Sequence, residues 1–152
     1  MNKKSQIGSG MIEILIATGV VGLVMTAVAA GFVLSVKNSA ISKYKVLAAT
    51  RAQEAMEVFR REKVILGWSQ FYETLSASTY CLDSLASDSA QFKEMSTGAC
   101  DDDSFIAGTS FTREALVDII SPQEIRVEIL VEWLDGDVLR SSNLIQEFKE
   151  YD

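Results

Sequence analysis

The sequence contains no histidine, one proline and only two cysteines in 152 residues. Lack of histidine removes the commonest general base and metal ligand at neutral pH. No motif for carboxylate or thiolate catalysis takes its place, so the chain is not expected to be an enzyme, and no cofactor is expected. The single proline, Pro122, leaves the stretch from Phe32 to Leu66 without Pro or Gly. Nothing in that stretch interrupts a helix. Basic residues are scarce in the distal part. Residues 64–152 hold five Lys and Arg against seventeen Asp and Glu, a net of −12, whereas residues 1–63 hold nine against four, a net of +5. Nucleic-acid binding needs clustered Lys and Arg, so the acidic distal part is not expected to bind nucleic acid. Charge is scarcest between Met11 and Val36, where Glu13 stands alone.

That span is apolar or small apart from Glu13, Thr18, Thr26 and Ser35. It exceeds the roughly 20 residues a helix needs to cross a bilayer and the 7–15 residue core of a secretory signal peptide. Lys3 and Lys4 precede it, so the positive-inside rule puts the N-terminus in the cytoplasm and everything after Val36 outside. Cys81 and Cys100 then face an oxidising compartment and are expected to pair. Closing a loop of roughly 20 residues is worth about 3 kcal/mol in the chain-entropy model.

The apolar run continues as VKNSAISKYKVLAATRAQEAMEVFRREKVILGW. Ala40, Ile41, Tyr44, Leu47, Ala48, Ala55, Val58 and Phe59 recur at spacings of three and four, which predicts an amphipathic helix ending at Leu66 with Gly67 as its cap. One helix from Met11 to Leu66 is about 80 Å long. Residues 68–105 are rich in Ser, Thr and Asp and read as a long surface loop. Its start, Trp68, Phe71, Tyr72 and Leu75, suits a short amphipathic turn under the core. Asp101, Asp102 and Asp103 offer the oxygen ligands calcium takes, but the spaced D-x-D-x-D-G pattern is missing, and the run reads as solvated charge. Alternation then predicts three strands. Phe111, Arg113, Ala115, Val117 and Ile119 share one face, and Ile125, Val127, Ile129, Val131 and Trp133 share another. Asp135-Gly136 signals a hairpin. Such a meander needs a cover, and the amphipathic helix is the one long element available. The predicted class is α+β, a long helix packed by its second half on a small antiparallel sheet.

The stretch Lys3-Lys4-Ser5-Gln6-Ile7-Gly8, followed by Ser9-Gly10-Met11-Ile12-Glu13, resembles the leader and cleavage site of type IV prepilins. The resemblance covers residues 1–60 by motif and the rest by layout. In that family a short basic leader ends in Gly, prepilin peptidase cuts after it and methylates the new amine, and the fifth mature residue is Glu. Cleavage after Gly8 makes Ser9 the first mature residue and Glu13 the fifth, whereas cleavage after Gly10 makes Glu13 the third. Ser9 stands where the family more often has Phe. Ala30 stands near the usual helix proline, with Gly19, Gly22 and Gly31 available to loosen the helix instead. MIEILIATGVVGLV looks most like minor pilins or pseudopilins.

The resemblance implies a leader 1–8, a membrane-spanning and filament-core helix 9–36, an amphipathic continuation 37–67 and a pilin head 68–152. It implies prepilin peptidase, other pilin subunits and, before assembly, the cytoplasmic membrane as partners, with the cell surface or pilus as destination. Glu13 is expected to meet the α-amine of a neighbouring subunit and set its register. Two other readings remain: a stand-alone single-pass membrane-anchored surface-binding protein, and a secreted protein cut at Ala27-Val28-Ala29.

Overall fold

The computed structural model describes residues 7–101 and 103–151, with side chains from Gly10 onward. Lys3, Lys4 and the rest of segment 1–6 lie outside the described residues, as does Asp102. Helix α1 spans Ile7–Thr74, followed by β1 (Ser78–Cys81), α2 (Ser89–Lys93), β2 (Phe111–Ser121), β3 (Glu124–Asp135) and β4 (Val138–Lys149). The chain divides into two units after Ser42.

In the first unit the described chain is helix throughout, and its side chains from Gly10 to Ala40 are all exposed. The helix contains a stretch long and apolar enough to cross a membrane. Its two threonines need no outside partner. Thr18 Oγ1 donates to the carbonyls of Ile14 and Leu15 (2.9 and 3.0 Å), and Thr26 Oγ1 to those of Gly22 and Leu23 (3.1 and 2.9 Å). Such bonds let hydroxyls sit in apolar surroundings without an unsatisfied donor. Gly19, Gly22 and Gly31 keep helical dihedrals, and the residue with non-helical dihedrals inside α1 is Gly67.

The second unit is α+β. Its four strands form one antiparallel sheet in the order β1-β2-β3-β4. Registers Phe111↔Trp133, Ala115↔Ile129 and Val117↔Val127 align the apolar faces of β2 and β3. Phe111, Ala115, Val117, Ile125, Val127, Ile129, Val131, Trp133 and Phe148 form the buried face. The helix covers it with Ala48, Ala52, Ala55, Met56, Val58 and Phe59. Ala48, Ala52, Ala55, Met56 and Phe59 are all at most 1% exposed. The stripe starts later than its spacing suggests. Tyr44 and Leu47 stay 43% and 38% exposed.

Two expectations change in detail. The helix bends at Gly67 (φ 72°, ψ 167°) and resumes to Thr74, rather than ending at Leu66. The resumed turn buries Phe71, with Leu75 buried just beyond it, while Trp68 and Tyr72 are partly buried against the core. The sheet has four strands, because β1 pairs with β2 from Ser78↔Val117 to Cys81↔Glu114. At the β3–β4 hairpin the turn residues are Gly136 and Asp137, closed by the Asp135↔Val138 pair, and positive φ is confined to Gly136 (66°). Glycine at the first central position is the pattern of a type II′ turn.

At Gly67 an added Cβ has nothing within 4 Å, so substitution there meets backbone strain alone. Gly67→Ala and Gly67→Asn should both destabilise the head, by about 1–3 kcal/mol, because φ 72° with ψ 167° lies in a region open essentially to glycine alone. Chemical denaturation of the full chain in detergent checks this. Equal stability of Gly67→Ala and wild type would show that the bend is not held.

Candidate assembly site

The backbone of Ile7, Gly8, Ser9 and Gly10 is helical, and these are the first described residues of α1. The side chains of residues 7–9 lie outside the described residues. Glu13 lies one turn further on, exposed, and among the described residues no donor bonds its carboxylate. Met11, Ile12, Ile14, Leu15 and Ile16 around it are 61–69% exposed. In this segment, therefore, the threonines are satisfied within the helix, the apolar side chains are uncovered, and the one carboxylate is exposed.

Cys81 ends β1 and is bonded to Cys100 (Sγ–Sγ 2.01 Å). The bond fastens the segment after α2 beside the sheet. Gly98 N donates to Thr79 O (2.8 Å), a Tyr80↔Thr97 bridge covers the outer edge of β1, and Cys100 N donates to Glu114 Oε1 (2.7 Å). Asp101 and Asp103 are exposed, and their carbonyls accept from Ser104 N and Phe105 N at 2.9 Å. No group of three acidic, His or Cys side chains among the described residues is placed to hold a metal ion. Trp133 is 2% exposed and belongs to the core.

Two buried charged residues, neither a candidate on sequence grounds, hold the loop on the helix. Arg113 lies at an inward position of β2 and is 2% exposed. Its Nε donates to Leu82 O (3.0 Å), and its Nη1 donates to Arg51 O (3.1 Å) and lies 3.9 Å from Glu54 Oε2. Burial lowers its pKa to about 10, Glu54 and Asp83 pull the other way, and Arg51 adds to the lowering. At neutral pH it is still a cation. Glu62 is fully buried and accepts from Arg61 Nε (2.8 Å) and from Ser89 Oγ, at the start of α2. Arg61 Nη2 in turn donates to Ala86 O (2.8 Å). Both were legible in the pattern: Arg113 shares a face with Phe111 and Ala115, and Glu62 continues the 55–58–59 stripe.

Compared with family models, curated proteins and solved structures, the chain matches none.

Arg113→Ala should destabilise the head by about 2–4 kcal/mol, since it opens a cavity and strips buried carbonyls of a charged donor. Opening the disulfide with Cys100→Ser should cost at most the roughly 3 kcal/mol of the loop-closure term, which acts on the unfolded chain, and should loosen the loop rather than the sheet. Chemical denaturation of both variants checks these magnitudes, and a loss of less than about 1 kcal/mol for Arg113→Ala would show that it is not a clamp.

Proposed function

We propose that this chain is a structural subunit, of the minor-pilin or pseudopilin kind, of a type IV pilus-like filament. Prepilin peptidase releases the leader after Gly8, and the chain joins its neighbours through the helix that begins at Ser9. The observation that carries this reading is Glu13, the lone charge in an uncovered apolar helix, five residues after Gly8. A carboxylate near the middle of such a helix costs about 2.5–3.5 kcal/mol on insertion scales, and less near the interface. In a bundle of these helices an α-amine from the next subunit offsets that cost, and it does so at one axial position only. Charge pairs of low dielectric are strong when both partners are present and costly when one is missing. Glu13 thus acts as a register device. The disulfide and the two buried charged clamps suit a head that works outside the cell, where no chaperone or reductant repairs it.

The mass of the N-terminal peptide from membranes tests the reading directly. Wild type should begin at Ser9. Gly8→Ala should block processing and leave the chain beginning at Met1, because a Cβ obstructs close approach of the peptidase to that backbone. A wild-type chain beginning at Met1 would return the stand-alone surface-binding reading, and one beginning at Ala30 the secreted one.

Glu13→Leu should insert into membranes as well as wild type and be cleaved after Gly8, yet its recovery in sheared filaments, normalised to the membrane pool, should fall by about tenfold or more. Equal recovery would remove Glu13 as the register.

A further inference from the structure

On the face of the sheet turned away from the helix lies a groove of about 350 Å³. Phe105, Leu134 and Leu139 give it an apolar floor and stay 45%, 63% and 62% exposed. Asp101, Glu114 and Glu132 give it a rim, and no Lys or Arg lines it. Glu114 accepts from Cys100 N, while no described donor bonds Glu132. An apolar floor with an uncompensated acidic rim fits an apolar segment that carries cations.

The chain contains such a segment. No acidic residue occurs between Glu13 and Glu54. Lys43 and Lys45 are exposed, and so are Val46 and Leu47 beside them, at 63% and 38%. Arg51 is already bonded to Glu54 and Lys37 belongs to the first unit, which leaves Lys43 and Lys45 as the available cations of the neck where the head begins. A copy cannot use its own neck. Tyr44 packs on Phe111 (ring centroids 6.0 Å) and Phe111 on Trp133 (5.7 Å), all on the helix side of the sheet. Glu132 and Leu134 flank Trp133 in β3 and face the other way by strand alternation, and Leu134 pairs with Leu139. Neck and groove thus stand at the same level of the head, on opposite faces of the sheet. Two copies side by side and pointing the same way bring the neck of one level with the groove of the other.

We infer that the Phe105–Leu134–Leu139 groove of one copy takes the Lys43–Leu47 neck of a second copy of this chain, with Glu132 facing Lys45. The contact joins two different surfaces. Such heterologous contacts build rings or open helical assemblies, not closed two-fold dimers. The inference rests on the filament reading only in that the copies lie parallel.

Cross-linking in intact membranes tests it on the full chain. Two differently tagged copies are expressed together, one with Val46→Cys and the other with Leu139→Cys, and treated with a short bis-maleimide. The native cysteines are bonded to each other and do not compete. A mixed dimer carrying both tags is expected, whereas pairing Val46→Cys with Ile120→Cys, exposed near the far end of β2, should yield little. Adding Glu132→Lys to the groove copy, or Lys45→Glu to the neck copy, should lower the yield about fivefold, the worth of one exposed ion pair. The two changes together should restore it, which a misfolded head would not allow. Equal yield at Leu139 and Ile120, no response to charge reversal, or loss without rescue would each overturn the contact. Failure of the cross-link in cells whose filaments contain the Ser9-starting chain removes this contact and leaves the filament reading intact. A cross-link in cells whose chain starts at Met1 does the opposite.

Discussion

A single carboxylate in an apolar helix constrains everything N-terminal to the head. Glu13 tolerates two environments, the wet edge of a membrane and a site with a fixed cation. The helix around it is prepared for a third, dry environment at every other position. Thr18 and Thr26 bond back to their own turns, and the glycines present open backbone. Helices of this kind have no hydrophobic drive to associate inside a membrane, because lipid tails are as apolar as their side chains. What remains to select one arrangement over another is close packing of small residues and the satisfaction of Glu13. That is why the proposed function turns on one residue.

The head solves a different problem. Two layers, one helix and one sheet, bury a core on one side of each, and the long connection between them must be kept in place without a core of its own. Polar groups do this from within. Arg113 reaches from β2 to backbone carbonyls on the helix and in the loop, and Glu62 reaches from the helix to α2. A buried guanidinium bonded to carbonyls is costly to desolvate and costlier to disturb, so it confers specificity of arrangement more than net stability. The disulfide adds a covalent tie to the same loop at its far end.

Periodicity made the long elements legible. The three long strands, the amphipathic helix and the Cys81–Cys100 pair follow from alternation, a 3.6-residue stripe and compartment logic. The α+β class follows from asking what could cover the meander. Strand β1 did not show itself, because four residues in a Ser- and Thr-rich stretch carry too few positions for alternation, and their pairing with β2 is set nearly forty residues away. The helix bend at Gly67 looked like a stop because glycine commonly caps helices. Here the short Trp68–Thr74 segment has Phe71 to bury against Phe92 and Phe148, and that packing restarts the helix. Of the candidate site, Gly8, Ser9 and Glu13 were legible as a spacing, whereas the outer groove was not. It combines residues of the disulfide loop with residues of three strands, and only the register brings them together.

The two edges of the sheet differ, and the difference bears on how copies meet. The disulfide loop covers the outer edge of β1 through the Tyr80↔Thr97 bridge, whereas β4 is an uncovered edge with Arg140, Glu147 and Lys149 along it. Charged side chains on an edge discourage a second strand from adding there. Copies that point the same way would have to join β4 of one to β1 of the next, and the loop already occupies that place. Edge-to-edge growth is thus blocked at one side and discouraged at the other. The faces remain, and of these the helix side is buried in the core. The outer face, acidic and partly apolar, is left to meet the basic neck, which makes the charge asymmetry of the chain a property of the contact between copies as well as of solubility.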